Sequence, residues 1–165
     1  DVSYSKAKKI FQALENTEKR EEVTAEQIMT KNVISLKKND KLSKAFDIMK
    51  NKGIDQIPIL QGDLCIGSIT ERVILDAVQN GINLKKIEST SIEELMGDSL
   101  PTLGGKAGLN EITALLKRNS AILVVEKGRI KGIIVKVDLL KTLSKKYPRL
   151  GLFEKWPRLD SKGAL

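Results

Sequence analysis

Apolar and polar residues follow one another along the chain in a pattern that occurs twice. The segment Ile57–Leu75 contains an apolar strand, a turn with glycine, a second strand that passes through glycine, and an amphipathic helix. The segment Ile122–Leu140 repeats this order 65 residues later. A repeat of this kind predicts two similar units, which fixes the architecture before any single residue is interpreted.

The spacing of apolar residues predicts the elements of the first unit. Thr24 and Gln27 have the spacing of a capping box, which begins a short helical turn. Gly53 is predicted to end a helix in the left-handed conformation. A later helix is expected to turn Val73, Ile74, Ala77 and Val78 inward. The predicted elements are strand Val33–Leu36, helix Lys41–Lys52, strands Ile57–Leu60 and Leu64–Thr70 around the turn Gln61–Asp63, and helix Glu71–Asn80.

The second unit retraces this path after a short linker, residues 81–90. Ser91–Met96 echoes the opening turn of the first unit, and Leu100–Leu103 takes the place of its first strand. A hairpin is predicted over Ile122–Val135. The predicted helices are Leu109–Arg118, which presents Leu109, Ile112, Leu115 and Leu116 on one face, and Lys136–Lys145.

Four segments follow from these patterns: residues 1–22, the repeats at 23–80 and 91–146, and a tail at 147–165. Ala7, Ile10, Phe11 and Leu14 have helical spacing, which predicts an amphipathic helix over Ser5–Leu14. The apolar residues of the tail favour packing against a neighbour or a partner. Because the sequence begins at Asp1 without an initiator Met, we expect a fragment or a processed chain.

Composition narrows the classes of function. The 165 residues include no histidine and one cysteine, Cys65, which removes the commonest general base and most zinc sites. Catalysis is therefore the less favoured class, and the chain is predicted not to be an enzyme. A lone cysteine in a strand is expected to be a small apolar filler and suits a reducing cytoplasm. No apolar run approaches the roughly 20 residues that cross a bilayer.

The net charge of +8 lies mainly in the second repeat and the tail. A basic surface of this kind can attract nucleic acid or anionic ligands. The alternative is an ordinary solvated surface rich in lysine, which the absence of interleaved aromatic residues favours.

The two repeats together resemble a cystathionine β-synthase (CBS) domain pair, also called a Bateman module. The motifs that carry the resemblance are Ile28-Met29-Thr30, Ile57-Pro58-Ile59, Gly67-Ser68-Ile69-Thr70 and Ile74-Leu75 in the first copy, and Leu95-Met96, Ala121–Val125, Gly132-Ile133-Ile134 and Asp138-Leu139-Leu140 in the second. The resemblance implies an α+β fold of two pseudosymmetric β-α-β-β-α repeats. It further implies that their sheets pack together and leave two clefts between the repeats.

In the CBS family these clefts commonly hold adenosyl ligands such as AMP, ADP, ATP or S-adenosylmethionine, as regulators and not as cofactors. The family's ribose motif ends in a hydroxyl residue and, three positions later, a carboxylate. The first copy keeps Thr70 but has Val73, and the second keeps Asp138 but has Val135. Asp138 has a second interpretation, in which it only favours the helix macrodipole. The resemblance implies a ligand site formed from Asp138, Val135, Lys136, Ile122, Thr102, Thr70, Arg72, Pro58 and Ser35.

Residues 2–14 resemble the closing helix of a Cro/repressor-like helix-turn-helix domain, whose recognition helix would precede Asp1. With the CBS pair, this implies a cytoplasmic bacterial or archaeal transcriptional regulator, a homodimer that binds DNA through the missing part and an adenosyl ligand in the cleft. Two alternatives are a ligand-free dimerisation module and direct nucleic-acid binding by the basic second repeat. No membrane partner is expected.

Overall fold

The computed structural model describes residues 5–10 and 23–146 of the chain. Residues 5–10 form helix α1, which is exposed to solvent, and the side chain of Ile10 is 54% exposed. These residues belong to the helix that the sequence predicted over Ser5–Leu14. Phe11 and Leu14, the rest of that prediction, and the tail at 147–165 lie outside the described residues.

The first repeat closely follows its predicted elements. Gly53 ends helix α3 at φ 63°, in the left-handed conformation that glycine adopts without strain. The predicted strand Val33–Leu36 is shorter than expected, because only Leu36 makes a parallel bridge, to Ile59. The elements are α2 (Ala25–Ile28), α3 (Leu42–Lys52), β1 (Gln56–Gln61), β2 (Leu64–Thr70) and α4 (Glu71–Gln79).

The second repeat has the same order of elements. A 3-10 helix, Leu84–Lys86, lies in the linker before it, and a second one, Ile92–Glu94, opens the repeat. The strand expected at Leu100–Leu103 lies slightly later in the chain. The remaining elements are β3 (Thr102–Gly104), α5 (Leu109–Leu116), β4 (Ala121–Glu126), β5 (Arg129–Val135) and α6 (Lys136–Lys146).

The sheets of the two repeats pack against each other. Strands β1 and β2 form an antiparallel hairpin, while β4 pairs in parallel with β3 and antiparallel with β5. Because side chains alternate along a strand, β4 turns Ile122 and Val124 to one side and Ala121 and Leu123 to the other. The cluster around Leu123 includes part-buried residues from the first repeat, namely Val33, Leu60 and Cys65. Cys65 thus packs as the apolar filler that the sequence predicted.

The two repeats exchange their opening segments. Val23, Ala25 and Ile28 of the first repeat are buried in a core whose other members come from the second: Ile112, Leu116, Ile122, Val124, Ile134 and Leu139. In return, Ile92 is buried among residues of the first repeat, and Leu95 and Met96 pack beside it. Neither core is complete without a segment from the other repeat.

Backbone hydrogen bonds hold each exchanged segment in place. The Ala25 N–H donates to the Ala107 carbonyl at 2.9 Å, and the Glu26 N–H donates to the Gly105 carbonyl at 2.9 Å. On the other side, the Leu42 N–H donates to the Thr90 carbonyl at 2.9 Å. The capping-box spacing noted in the sequence is realised at the first segment, where the Thr24 N–H donates to Gln27 Oε1 at 3.2 Å.

Two glycines let the exchanged segments approach the hairpins closely. A Cβ placed on Gly132 in β5 would lie 2.6 Å from Met29 Sδ and 2.9 Å from Met29 Cβ. The equivalent Cβ on Gly67 in β2 would lie 2.8 Å from Met96 Sδ and 2.9 Å from the Gly97 carbonyl oxygen. The methionine that closes each opening segment therefore covers a glycine of the opposite repeat, and only a residue without Cβ fits beneath it.

Helix α4 differs from expectation. The sequence predicted that Val73, Ile74, Ala77 and Val78 turn inward, but no residue of α4 is fully buried. Val73 and Ile74 pack at the edge of the first core, whereas Val78 is 44% exposed and Leu75 is 67% exposed. Hydrophobic periodicity identifies the apolar face of a helix, but it does not show whether other residues cover that face. The prediction was therefore wrong for Val78.

Candidate functional site

A cleft with a volume of about 700 Å³ lies between the two repeats. The residues that line it come from the first opening segment, the end of α3 and start of β1, the start of α4, and the β5–α6 junction. They are Thr30, Asn32, Ile34, Met49, Gly53, Ile54, Asp55, Gln56, Glu71, Ser120, Ile133, Val135, Lys136, Val137 and Asp138. Three predicted ligand residues, Val135, Lys136 and Asp138, are thus brought together in one cleft.

Asp138 is held at the first turn of α6. It is the third residue of this helix, and its Oδ2 accepts a hydrogen bond from the Val135 N–H at 3.0 Å. This arrangement is one half of a capping box, in which a side chain satisfies an amide left unpaired at the helix start. Among the described residues, no group donates to the second oxygen, Oδ1. Asp138 therefore caps its helix and keeps one acceptor for a bound molecule.

Thr70 provides the other half of a capping box, at the start of α4. It precedes the first residue of α4, and its Oγ1 accepts a hydrogen bond from the Val73 N–H at 3.2 Å. The sequence pattern had been interpreted as a ribose motif divided between the two copies. In the structure, Thr70 and Asp138 also divide a capping box, one copy keeping the hydroxyl and the other the carboxylate.

The walls of the cleft are largely apolar. Ile34, Ile54, Ile133, Val135 and Val137 line it, and Val137 is 44% exposed. The polar side chains of Thr30, Asn32 and Ser120 also line it. Apolar walls that carry a few polar side chains are typical of sites for small molecules.

The cleft borders the exchanged segment directly. Thr30 and Ile133 both line it, and they form an antiparallel bridge. The Thr30 N–H donates to the Ile133 carbonyl at 2.9 Å, and the Ile133 N–H donates to the Thr30 carbonyl at 3.0 Å. A molecule in the cleft would therefore contact the seam between the repeats.

The charged side chains around the cleft are mostly acidic. Asp55, Glu71 and Asp138 line it together with a single basic residue, Lys136. Away from the cleft, Asp40 lies in the loop before α3. Its hydrogen bond from the Lys37 N–H, at 2.8 Å, and then that from Lys44 Nζ, at 3.0 Å, lower the pKa of Asp40.

A second cleft, of about 410 Å³, lies near the hairpin turns. Thr102 lines it together with Asp63, Cys65 and Pro101, and the Ile130 N–H donates to Asp63 Oδ1 at 3.1 Å.

In the first copy, Val73 stands at the position where the family's ribose motif has a carboxylate. Val73 packs there at the edge of the first core, with its Cγ2 3.4 Å from a Cβ placed on Gly97.

The other predicted ligand residues lie away from the larger cleft. Ile122 and Pro58 are fully buried strand residues, so their side chains serve the core. Ser35 is exposed next to Ile34 but is not part of the cleft lining. Arg72, another predicted ligand residue, has a side chain that is 90% exposed, and its Nε lies 4.0 Å from Asp76 Oδ2 on the same helix.

Several lining residues were not predicted from the sequence. Asp55 and Ser120 occupy equivalent positions, each just before the first hairpin strand of its repeat. Glu71 and Lys136 are equivalent in the same way, as the first residues of α4 and α6. The repeat offset was a signal that could have found them, because a pseudosymmetric pair brings equivalent positions to the cleft between its members.

Two α+β repeats that exchange segments and share a cleft at their seam define a tandem module. A model of the CBS domain matches residues 25–80 and 92–145. The chain belongs to the CBS domain family. This confirms the predicted fold class, a mixed α+β tandem CBS pair.

Known proteins of the family show the extent of the similarity. The uncharacterized protein MJ1225 of Methanocaldococcus jannaschii is 30% identical over 122 residues, which are 71% of this chain and 41% of that protein. The chain thus spans about two fifths of the curated relative that it matches. The helix-turn-helix resemblance of residues 2–14 receives no support from the family match, which covers the two repeats alone.

Solved structures agree on the fold. A protein from Burkholderia ambifaria MC40-6, described as a signal-transduction protein with CBS domains, superposes with a TM-score of 0.66 at 23% identity, covering 84% of this chain and all of that one. Protein MJ1004 from M. jannaschii superposes with a TM-score of 0.65 at 23% identity, covering 81% of this chain and 66% of that one.

Within residues 5–10 and 23–146, no helix has both the length and the apolar character that crossing a bilayer requires.

Proposed function

We propose that this chain is a non-catalytic regulatory module that senses an adenosyl compound in the cleft beside Asp138. The observation that carries the proposal is the fixed carboxylate at the first turn of α6, whose Oδ2 is held by the Val135 N–H while Oδ1 receives no protein donor among the described residues. A ribose supplies two hydroxyl donors, and a charged acceptor gives the stronger hydrogen bonds.

The rest of the cleft supports the same ligand. Its volume of about 700 Å³ lies within the usual range of roughly 300–1,000 Å³ for small-molecule sites. The apolar side chains of Ile34, Ile54 and Ile133 offer a surface for an adenine ring. Asn32 and Ser120 can donate to and accept from the edge of that ring.

The proposed signal passes through the seam between the repeats. A ligand against Thr30 and Ile133 stabilises the arrangement in which these two residues are hydrogen-bonded, provided that it binds this arrangement more tightly than any other. Any domain attached before residue 23 is joined directly to the segment that ends at Thr30. In our proposal that domain is a DNA-binding domain, and the module controls transcription in the cytoplasm.

Adding an adenosyl ligand is expected to raise the melting temperature of the protein. A ligand at about 100 times its Kd stabilises the folded state by about 2.7 kcal/mol, which corresponds to roughly 5–10 °C for a chain of this size. The measurement is differential scanning fluorimetry with AMP, ADP, ATP, adenosine and S-adenosylmethionine, followed by calorimetry. If none of the five changes the melting temperature at millimolar concentration, the proposal is wrong.

A second candidate function, homodimerisation without a ligand, is favoured by the surface of α4. Leu75 and Val78 lie three residues apart on one face, and their side chains are 67% and 44% exposed. Neighbouring exposed apolar residues on an amphipathic helix are typical of a surface that another chain covers. In this case the module would pair subunits whether or not the cleft is occupied.

Leu75→Lys is expected to convert a dimer to a monomer, because it places a charge in the centre of the proposed interface. Light scattering after size-exclusion chromatography measures the mass of each species. Leu64→Lys is the matched control, since Leu64 is 65% exposed but lies at the start of β2. A dimer that persists with Leu75→Lys, or that is lost equally with Leu64→Lys, would refute the role of α4.

A further inference from the structure

The charge of the cleft is opposite to the charge of the chain. The protein carries a net charge of +8, yet the cleft is lined by three carboxylates, those of Asp55, Glu71 and Asp138, and by one ammonium group, that of Lys136. Asp138 is half-buried, whereas Asp55, Glu71 and Lys136 are exposed, so these charges act together through the field that they create at the cleft. The local field therefore attracts cations, although the rest of the surface attracts anions.

The helix N-termini beside the cleft, which could bind an anion, carry carboxylates of the protein itself. Helix N-termini bind phosphate through unpaired amides and a positive dipole end. At α6 the Val135 N–H is bonded to Asp138, and at α4 the first residue is Glu71. Each terminus that reaches the cleft thus carries a carboxylate of its own, which opposes an incoming phosphate group.

Among the described residues that line the cleft, Lys136 is the one that carries a positive charge. Arg72 turns its side chain to solvent, where it lies beside Asp76. In the ranges 5–10 and 23–146, no three groups among His, Cys, Asp and Glu come close enough together to hold a metal ion.

We propose that the cleft selects adenosyl compounds whose 5′ substituent is neutral or positively charged, and discriminates against nucleotides with several phosphates. Adenosine and S-adenosylmethionine, whose sulfonium and ammonium groups give it a net positive charge, belong to the favoured class. ATP belongs to the disfavoured class. This inference rests on the proposed function, since it concerns the ligand of the same cleft.

Calorimetry at low ionic strength tests the selection directly. We expect adenosine and S-adenosylmethionine to bind about fivefold more tightly than ATP, with or without Mg²⁺, because two charges about 4 Å apart at an exposed site interact by about 1 kcal/mol. Added salt should weaken the binding of S-adenosylmethionine and not that of ATP. Tighter binding of ATP would overturn the inference and leave the proposed function standing. If no compound binds, both fail.

Glu71→Gln provides the second arm of the test. Removing this carboxylate should reduce the preference for S-adenosylmethionine over ATP by about threefold or more. Glu111→Gln is the matched control, because Glu111 also lies in the first turn of a helix, α5, but outside the cleft lining. A preference that is the same in Glu71→Gln, Glu111→Gln and the unmodified chain would overturn the inference.

Discussion

Gly132→Ala is expected to lower the free energy of unfolding by about 2–3 kcal/mol, the upper part of the range for overpacked core positions. The added Cβ would lie 2.9 Å from Met29 Cβ and 2.7 Å from Met29 Cγ, distances at which something must move. Only the far end of a methionine moves cheaply, whereas its Cβ is fixed to the backbone. The first opening segment must therefore shift away from β5. Urea denaturation followed by circular dichroism measures the loss.

Gly104→Ala is the control for this substitution. Gly104 also lies in a strand, β3, but a Cβ placed there meets nothing within 4 Å, so we expect a change within about 0.5 kcal/mol. Met29→Ala should remove part of the cost of Gly132→Ala when the two are combined, because the two residues are in contact. Additive effects in the double variant, or equal effects at the two glycines, would show that Met29 does not press on Gly132.

The exchange of opening segments explains why this contact should matter so much. Met29 follows Val23, Ala25 and Ile28, which complete the core of the opposite repeat. Moving the segment away from β5 therefore disturbs a core, and not only a surface contact. Since Met96 covers Gly67 in the reciprocal arrangement, the two repeats depend on each other for their folding.

Most elements of the fold were predictable from the sequence. Hydrophobic periodicity placed α3, the two hairpins and α6 within a residue or two, because each has a strong local pattern. The segment around Ile28 was also predicted to be helical from its capping residues. The sequence could not show that this segment is buried in the core of the second repeat, since the choice between two similar cores depends on packing between distant residues. The exposure of Val78 was missed for the same reason.

The candidate site was predicted less completely. Asp138, Val135 and Lys136 were found because they belong to a local motif at a strand-to-helix junction. Ile122 and Pro58 lie in the motif strands, but both side chains are fully buried, Ile122 in the core around Val124. Asp55 and Glu71, which set the charge of the cleft, carry no local signal. Their role follows only from the way the repeats face each other.

Asp138→Asn is expected to weaken the binding of an adenosyl ligand by about 10- to 150-fold, which corresponds to the loss of a charged hydrogen bond of about 1.5–3 kcal/mol. The asparagine oxygen can still accept from the Val135 N–H, so the cap of α6 is kept and stability should change little. Asp138→Ala removes both functions and should cost about 1 kcal/mol of stability besides the affinity. Calorimetry and thermal melting measure the two effects separately.

Glu94→Ala separates capping from ligand binding. Glu94 occupies the same third position of a short helix, where its Oε1 accepts from the Ser91 N–H at 3.0 Å, but it does not line the cleft. We expect it to lower stability in the same sense as Asp138→Ala and to leave the affinity for the ligand unchanged. If Asp138→Asn binds as tightly as the unmodified chain, the carboxylate is a cap alone. The ribose would then have to be recognised by the neutral groups of the cleft, Thr30, Asn32 and Ser120.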